Sequence, residues 1–153
     1  MERSRPNRSD PELRVLYLVY WGATEPLGLS LVVPVLERIA ACRVRLSLVS
    51  FEKASDWALP DRVRQTHERL GRHGIVWAPL AYHKKPRVPA TLFDILNGWR
   101  RGVGVGLRSR AQVVHGRTFV GGLVGRAVAR TLRVPFVYHN EGFYPDEQVD
   151  AGV

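Results

Sequence analysis

The segment from Ala111 to Glu147 reads AQVVHGRTFVGGLVGRAVARTLRVPFVYHNEGFYPDE, and its pattern decides the fold. It holds two short apolar runs, Ala111–Val114 and Pro135–Tyr138, with the composition of buried strands. A helix-length segment, Phe119–Leu132, lies between them, so the pattern predicts a strand–helix–strand unit. Ligands of open parallel sheets bind just beyond the carboxyl ends of the strands, and we expect a site there.

Polar side chains follow each of the two runs. His115 and Arg117 come after the first run, and His139 and Glu141 come after the second. A histidine titrates near neutral pH, and an arginine binds phosphate or carboxylate through two parallel hydrogen bonds. Both pairs are therefore candidate site residues. Two alternatives stay open, namely histidines bonded only to neighbouring backbone and a plain acidic loop.

The chain before this segment alternates between strand and helix patterns. The predicted strands are Val15–Tyr20, Val44–Ser50 and Ile75–Leu80. The predicted helices are one capped by Ser30, one capped by Asp61 and Thr91–Arg101. This alternation predicts an α/β protein with a Rossmann-like, doubly wound parallel sheet and helices on both faces.

Length and composition predict one domain in a reducing compartment. Residues 1–11 are polar and contain two prolines, so we expect a disordered head, with a single domain over residues 12–153. The single cysteine, Cys42, excludes an internal disulfide. No apolar run has the length of a signal core or a membrane span, which predicts a cytoplasmic protein.

The chain is strongly basic, with a formal net charge of +9 and a pI near 10.6. Such a charge suits nucleic acid, an anionic membrane or phosphate-bearing substrates, and a solvated arginine-rich surface is the alternative. Blocks of five like charges and aromatics interleaved with basic residues are both missing, so nucleic acid is not a predicted partner. The histidines are scattered, and no metal site is predicted.

Two glycine-bearing stretches are candidate loops. The stretch after the first strand contains Gly22, Pro26, Leu27 and Gly28, and is either a phosphate-binding turn or a plain strand-to-helix turn. The three-glycine spacing of dinucleotide-binding loops is absent from it. The run Gly102–Gly106 follows a helix pattern, and we expect a helix end or a linker there.

Five phrases together resemble a known family. In chain order they are WGATEPLGLSLVVPVLERIA from Trp21, SFEK from Ser50, APLAYHKKPRVPATLFDILNG from Ala78, VVHGRTFVGGLVGRAVAR from Val113 and EGFYPDEQVDAG from Glu141. They resemble the N-terminal half of a family 4 glycosyltransferase of the GT-B type, of the kind found in bacterial polysaccharide synthesis. The resemblance implies two Rossmann-like domains that face each other across a cleft.

The resemblance also implies how such an enzyme works. The N-terminal domain binds the acceptor and the C-terminal domain binds the nucleotide-sugar, which is a co-substrate, so neither a cofactor nor a metal is expected. Docking on the inner face of the membrane would bring the enzyme to lipid-linked acceptors and would give the basic surface a purpose. The expected partners are therefore a nucleotide-sugar, a glycan or lipid-linked acceptor, and an anionic membrane.

Roles for single residues follow from the same resemblance. The turn around Pro26, Leu27 and Gly28, with Gly22 before it, corresponds to the loop bordering the donor phosphates and the acceptor. His115 and Arg117 correspond to the catalytic cluster after the fourth strand, and His139 and Glu141 to acceptor contacts. The chain has His139-Asn140-Glu141-Gly142 where the family shows an Asp-x-Arg-Gly pattern.

These observations predict the acceptor-binding half of a glycosyltransferase of the hexosyltransferase type. The donor domain of the family has no counterpart in these 153 residues, so we expect a fragment or half-enzyme that is not competent alone. The alternative is a non-catalytic Rossmann-like binding module, or a remnant that needs a separately encoded donor domain.

Overall fold

The computed structural model describes residues 12–140, which form one five-stranded parallel sheet in the order β3-β2-β1-β4-β5. The strands are β1 (Leu13–Val19), β2 (Val44–Glu52), β3 (Val76–Ala81), β4 (Val113–Arg117) and β5 (Phe136–His139). The helices are a π-helical turn (Gly28–Val32), α1 (Val33–Ala41), α2 (Ala54–Trp57), α3 (Pro60–Arg72), α4 (Arg87–Ser109) and α5 (Phe119–Leu132). The predicted α/β fold class is confirmed. The predicted head, residues 1–11, lies outside the described residues.

Helices cover both faces of the sheet. On one face, Tyr17 and Leu48 of the sheet pack with Leu36 of α1 and Leu70 of α3. On the other face, strand residues pack against α4 and α5, and the buried members of this second cluster are Leu16, Leu18, Val49, Ala78, Val105, Val114, Val124, Val128 and Ala129. Alternate residues of β1 thus point to opposite layers, as the two-residue period of a strand requires.

The fourth and fifth strands end later than predicted. His115 and Arg117 were expected to follow β4, but both lie within it, opposite Tyr17 and Val19 of β1. His139 was expected to follow β5, yet it is the last residue of that strand and lies opposite Arg117. The parallel ladder continues through these polar residues because backbone pairing does not depend on side-chain polarity.

The first helix begins differently from the prediction. Ser30 lies inside the π-helical turn rather than at a cap, and its hydroxyl donates a hydrogen bond to the carbonyl of Leu27. The backbone N–H of Val33 bonds to the carbonyl of Gly28, five residues back. Pro34 follows at once and has no N–H to donate, so the wider turn accommodates it. In α3, Asp61 lies within the first turn, since the helix already begins at Pro60.

The largest departure is α4. It runs for 23 residues and includes Gly102–Gly106, which was expected to be a helix end or linker. Its buried face consists mainly of small or polar residues at four-residue spacing, namely Ala90, Asp94, Gly98, Gly102 and Gly106, and Val105 is buried beside them. Leu92 and Leu96 are 61% and 60% exposed. At Gly98, Gly102 and Gly106 the helix lies so close to the sheet and to α5 that an added Cβ would clash with a neighbouring side chain.

Candidate functional site

The order of the strands places a crevice at the carboxyl ends of β1 and β4. The chain leaves β1 toward β2 on one side and later returns to β4 on the other side. Such a reversal in strand order opens the crevice in which doubly wound folds bind ligands. The loop that follows β1 and the end of β4 border this point, and they contain most of the predicted site residues.

Glu52, the last residue of β2, organises the loop after β1. Its side chain is fully buried and accepts hydrogen bonds from the backbone N–H groups of Ala23 at 2.8 Å and Thr24 at 3.1 Å. The hydroxyl groups of Thr24 and Ser50 donate to the same carboxyl group. A buried polar group costs little only when its hydrogen bonds are satisfied, and here one carboxyl accepts four of them. No sequence motif pointed to Glu52 as the centre of this network.

The glycines of this loop are required by close packing. A Cβ on Gly22 would lie 2.7 Å from Oε2 of Glu52, and a Cβ on Gly28 would collide with the carbonyl oxygen of Gly22. Both glycines are buried, whereas Pro26 and Leu27 are exposed. The loop is therefore folded back on the end of β2, with its exposed side formed by Pro26 and Leu27.

This geometry bears on the phosphate-binding prediction for Gly22, Pro26, Leu27 and Gly28. The N–H groups of the loop at Ala23 and Thr24 point at the carboxyl group of Glu52, so they are not offered to a phosphate. Pro26 has no N–H. The role predicted for these four residues stays a prediction, and the N–H groups just after Gly22 do not contribute to it.

The rest of the SFEK phrase supports the same loop. Lys53 forms an ion pair with Glu25, a residue of the β1 loop that is only 7% exposed. The hydrogen bond to Glu25 and burial act in opposite directions on the pKa of Lys53, and the bond prevails, so the pKa is raised. The indole N–H of Trp77 in β3 donates to the hydroxyl of Ser50 at 2.8 Å. Ser50 and Glu52 at the end of β2, with Lys53 just after it, thus contact the loop after β1 and the strand β3.

His115 lies within the sheet, against the ring of Tyr17. The two ring centroids are 4.5 Å apart, and the ring of His139 lies 5.9 Å from that of His115. Burial, with the nearby His139 and Arg117, lowers the pKa of His115 to about 4, so the imidazole is neutral at neutral pH. Its Nε2 atom is buried and has no hydrogen-bond partner among residues 12–140. The catalytic role predicted for His115 stays a prediction, and it requires a motion that uncovers Nε2.

Arg117 is 5% exposed and contacts the π-helical turn. Its Nη1 atom donates a hydrogen bond to the carbonyl of Leu31 at 3.2 Å. Arginine on a helix carbonyl is a structural contact that fixes the turn against β4.

The next residue, Thr118, has φ 67° and ψ 168°, a conformation that glycine favours and that costs about 1–3 kcal/mol for other residues. Its side chain caps α5 by accepting from the N–H of Gly121. Strain thus accumulates where β4 meets α5.

The two residues predicted to contact an acceptor are divided by the described range. His139 is partly buried at the end of β5, next to Arg117 in the ladder. Glu141 lies outside the described residues. The acceptor-binding role of this pair stays a prediction.

A cluster that the sequence reading missed lies at the same edge, around Asp94 of α4. Asp94 is fully buried, and its carboxyl accepts hydrogen bonds from the hydroxyl of Tyr20 at 2.9 Å and from the backbone N–H of His83 at 3.0 Å. The ring atom Nδ1 of His83 lies 2.6 Å from the other carboxyl oxygen. Burial raises the pKa of Tyr20, and the hydrogen bond to Asp94 raises it further. These residues are far apart in sequence, and only the fold brings them together.

Two depressions of the described surface are lined by residues other than Glu52, Asp94 and their bonded partners. A depression of about 630 Å³ lies near the amino ends of the strands, and another lies beside Trp57 and His67. Within residues 12–140, no group of three or more His, Cys, Asp or Glu side chains is placed to hold a metal ion. No helix in that range is long and apolar enough to cross a membrane.

Comparison with known proteins supports the fold. No protein-family model and no curated protein matches the chain. A glycosyltransferase from Rickettsia africae is similar in structure, with a TM-score of 0.54 and 12% identity over 92% of this chain and 34% of its own. MurG from Acinetobacter baumannii gives a TM-score of 0.55 and 15% identity over 90% of this chain and 39% of its own. The chain thus spans between a third and two fifths of these two proteins.

The same fold also occurs outside glycosyltransferases. The C-terminal domain of the PF1911 hydrogenase from Pyrococcus furiosus has a TM-score of 0.59 and 10% identity, over 91% of this chain and all of that domain. At such identities the likeness shows the fold alone. The class defined here is a Rossmann-like α/β domain, and its function has to be argued from its site.

Proposed function

We propose that this chain is the acceptor-binding half of a glycosyltransferase that moves a sugar from a nucleotide-sugar donor to a glycan or lipid-linked acceptor. The likeness to the Rickettsia glycosyltransferase and to MurG supports a domain of this architecture. The donor would bind a second domain, either in a longer protein or on a separate chain. The reaction class and the substrates are part of the proposal.

One observation carries the proposal. Four of the five phrases that resemble the glycosyltransferase family meet at the carboxyl edge of the sheet, although they are spread over a hundred residues. The loop after β1 is bonded to Glu52, Asp94 is bonded to Tyr20, and Arg117 is bonded to the helix after that loop. Ligands of doubly wound folds bind at this edge, so these contacts support a binding site there.

The electrostatics of this edge suit an acceptor better than a diphosphate. Glu52, Glu25 and Asp94 are buried there, and the N–H groups of Ala23 and Thr24 are already bonded. A diphosphate needs free N–H groups or cations around it. A neutral sugar needs hydrogen-bonding groups and an exposed apolar surface instead.

We infer that a membrane is a further partner, through the outer face of α4. Val88, Leu92 and Leu96 are exposed at four-residue spacing, which forms an apolar stripe along this helix. Exposed basic residues flank the stripe at both ends, namely Lys84, Lys85, Arg87, Arg100 and Arg101. An apolar stripe with a basic border is typical of helices that lie on anionic bilayers.

Co-sedimentation with vesicles tests this surface. The chain is expected to sediment with phosphatidylglycerol-containing vesicles and to remain in solution with pure phosphatidylcholine. The double substitution Leu92→Ser and Leu96→Ser is expected to reduce binding at least tenfold. The control is Leu59→Ser, since Leu59 is 43% exposed but lies away from α4. Equal binding of both variants would contradict the membrane role.

Ligand binding by the purified chain tests the acceptor role. Saturation-transfer NMR is expected to detect short oligosaccharides and polyprenyl-phosphate-linked sugars. UDP-glucose and GDP-mannose are expected to bind at least tenfold more weakly, because the donor site belongs to another domain. Binding of the nucleotide-sugars without any glycan would overturn the proposal.

The second candidate is a non-catalytic binding module. The hydrogenase domain from Pyrococcus furiosus favours it, because the comparison covers that domain completely. A Rossmann-like domain of this size is therefore a known folding unit by itself. Absence of glycan binding, together with a stable fold and a protein or nucleotide ligand, would favour this candidate.

A further inference from the structure

The Asp94 cluster holds His83 from two directions. The backbone N–H of His83 and its ring atom Nδ1 contact different oxygens of the same buried carboxyl, at 3.0 Å and 2.6 Å. The hydroxyl of Tyr20 also donates to this carboxyl, which fixes the carboxyl in turn. A ring held at its own backbone and at Nδ1 has one orientation available to it.

This arrangement also fixes the direction of the other ring nitrogen of His83, Nε2. A carboxylate accepts, so Nδ1 of His83 carries a proton, and in the neutral form of the ring Nε2 keeps a lone pair. Nε2 has no protein partner in the described part of the chain, and 43% of the His83 side chain is exposed. The cluster therefore presents an oriented hydrogen-bond acceptor to the outside of the protein.

An apolar surface adjoins this acceptor. The ring of Phe93 is 55% exposed, and its centroid lies 5.1 Å from that of His83, with the ring planes almost perpendicular at 89°. A pyranose has a face of C–H groups and a rim of hydroxyl groups. A flat aromatic ring beside an oriented acceptor complements both parts of such a ligand.

We propose that His83 and Phe93 form the binding site for a neutral hexose unit, with a sugar hydroxyl donating to Nε2 and the sugar face on Phe93. This inference rests on the proposed acceptor role. It places the acceptor at the corner between β3 and α4 rather than beside His139 and Glu141.

NMR of the ¹⁵N-labelled chain tests the site, with methyl α-D-glucopyranoside and methyl α-D-mannopyranoside as probes. Long-range ¹H–¹⁵N spectra are expected to show His83 with its proton on Nδ1, and a shift of Nε2 when a glycoside is added. His73 is a matched control, because it is equally exposed but lies at the end of α3. Asp94→Asn is expected to lower the fraction of the Nδ1–H form, because the carboxylate that accepts from Nδ1 is removed.

Affinity measurements complete the test. His83→Ala is expected to weaken glycoside binding about three- to tenfold, the effect of one lost hydrogen bond, whereas His73→Ala leaves it unchanged. Phe93→Ala is expected to weaken it at least as much. The ring of Phe93 is 55% exposed, so Phe93→Ala is expected to fold. His83→Ala takes the ring away from the buried Asp94 carboxyl, and its fold is checked by urea denaturation.

The other outcomes separate this inference from the proposed function. If glycosides or oligosaccharides bind while His83 does not shift and His83→Ala binds equally well, the inference is overturned and the acceptor role stands. If inorganic phosphate shifts His83 and glycosides do not, the site is an anion site and the inference is overturned. If no carbohydrate binds, both fall together.

Discussion

At the scale of residues, buried polar groups rather than exposed ones determine the carboxyl edge. Glu52 holds the loop after β1, and Asp94 holds Tyr20 and His83. The sequence alone indicates His115 and Arg117 as site residues, because they are polar and directly follow an apolar run. The sequence assigns no role to Glu52, which ends a strand, or to Asp94, which lies in a helix. An acidic residue in a helix is ordinarily expected to face solvent.

The first prediction concerns Glu52. Glu52→Gln replaces one carboxylate oxygen by an amide NH₂ group, whose donors then face the N–H of either Ala23 or Thr24. We expect the free energy of unfolding to fall by about 2–4 kcal/mol, as for other buried charge-assisted networks. Urea denaturation measures the change. Glu68→Gln is the matched control, since the Glu68 side chain is 64% exposed, and it is expected to change stability by less than about 0.5 kcal/mol. Equal effects would show that the Glu52 network is not formed.

The second prediction concerns His115 and pH. Its pKa is about 4 in the folded chain and near 6.5 when unfolded, so the unfolded state binds a proton more readily between these values. The stability from keeping this ring neutral is complete above pH 6.5 and is lost as the pH falls toward 4. We expect a loss on the order of 2 kcal/mol, measured by urea denaturation across this range. His115→Gln is expected to remove this part of the pH dependence. Parallel curves for the two proteins would contradict the low pKa.

At the scale of elements, the sequence predicts the strands and α5 better than it predicts α4, whose inner face is set by close packing. The strands and α5 follow from apolar periodicity, and α5 matches its predicted bounds of Phe119–Leu132. In α4 the periodicity misleads, because Leu92 and Leu96 face outward while Gly98 and Gly102 face inward. The four-residue glycine spacing was the available signal. Glycines at this spacing indicate that another element packs closely against the helix. A prediction from the positions of apolar residues alone does not use them.

The third prediction compares two glycines of α4. A Cβ on Gly98 would lie 2.7 Å from Cζ of the Phe51 ring, whereas a Cβ on Gly104 would meet only the end of Arg108 at 3.5 Å. Gly98→Ala is expected to reduce the free energy of unfolding by about 1–3 kcal/mol through overpacking. Gly104→Ala is expected to raise it by about 0.5–1 kcal/mol, because alanine favours helix. Thermal or urea unfolding distinguishes them. Stabilisation by both substitutions would show that α4 does not pack on its glycine face.

At the scale of the whole molecule, the fold alone leaves the function open. Glycosyltransferases and a hydrogenase domain both share it at 10–15% identity. Alternation of strands and helices was enough to predict the sheet, because the central strands β1 and β2 are buried on both faces. The position of the site could be predicted only as an edge, since the contacts of Tyr20, His83 and Asp94 depend on how α4 packs.

We propose that this chain binds a sugar acceptor at the carboxyl edge of its sheet. The set of residues that respond to a bound glycan tests this proposal. Backbone amide shifts are to be mapped during titration with an oligosaccharide that binds the chain. We expect shifts in the loop after β1, around Glu52, and in the segment from Tyr82 to Asp94. The depression at the opposite edge, lined in part by Arg14, His73 and Arg108, is expected to be unaffected. If only residues of that opposite edge shift, or if no residue shifts, the acceptor does not bind at the carboxyl edge.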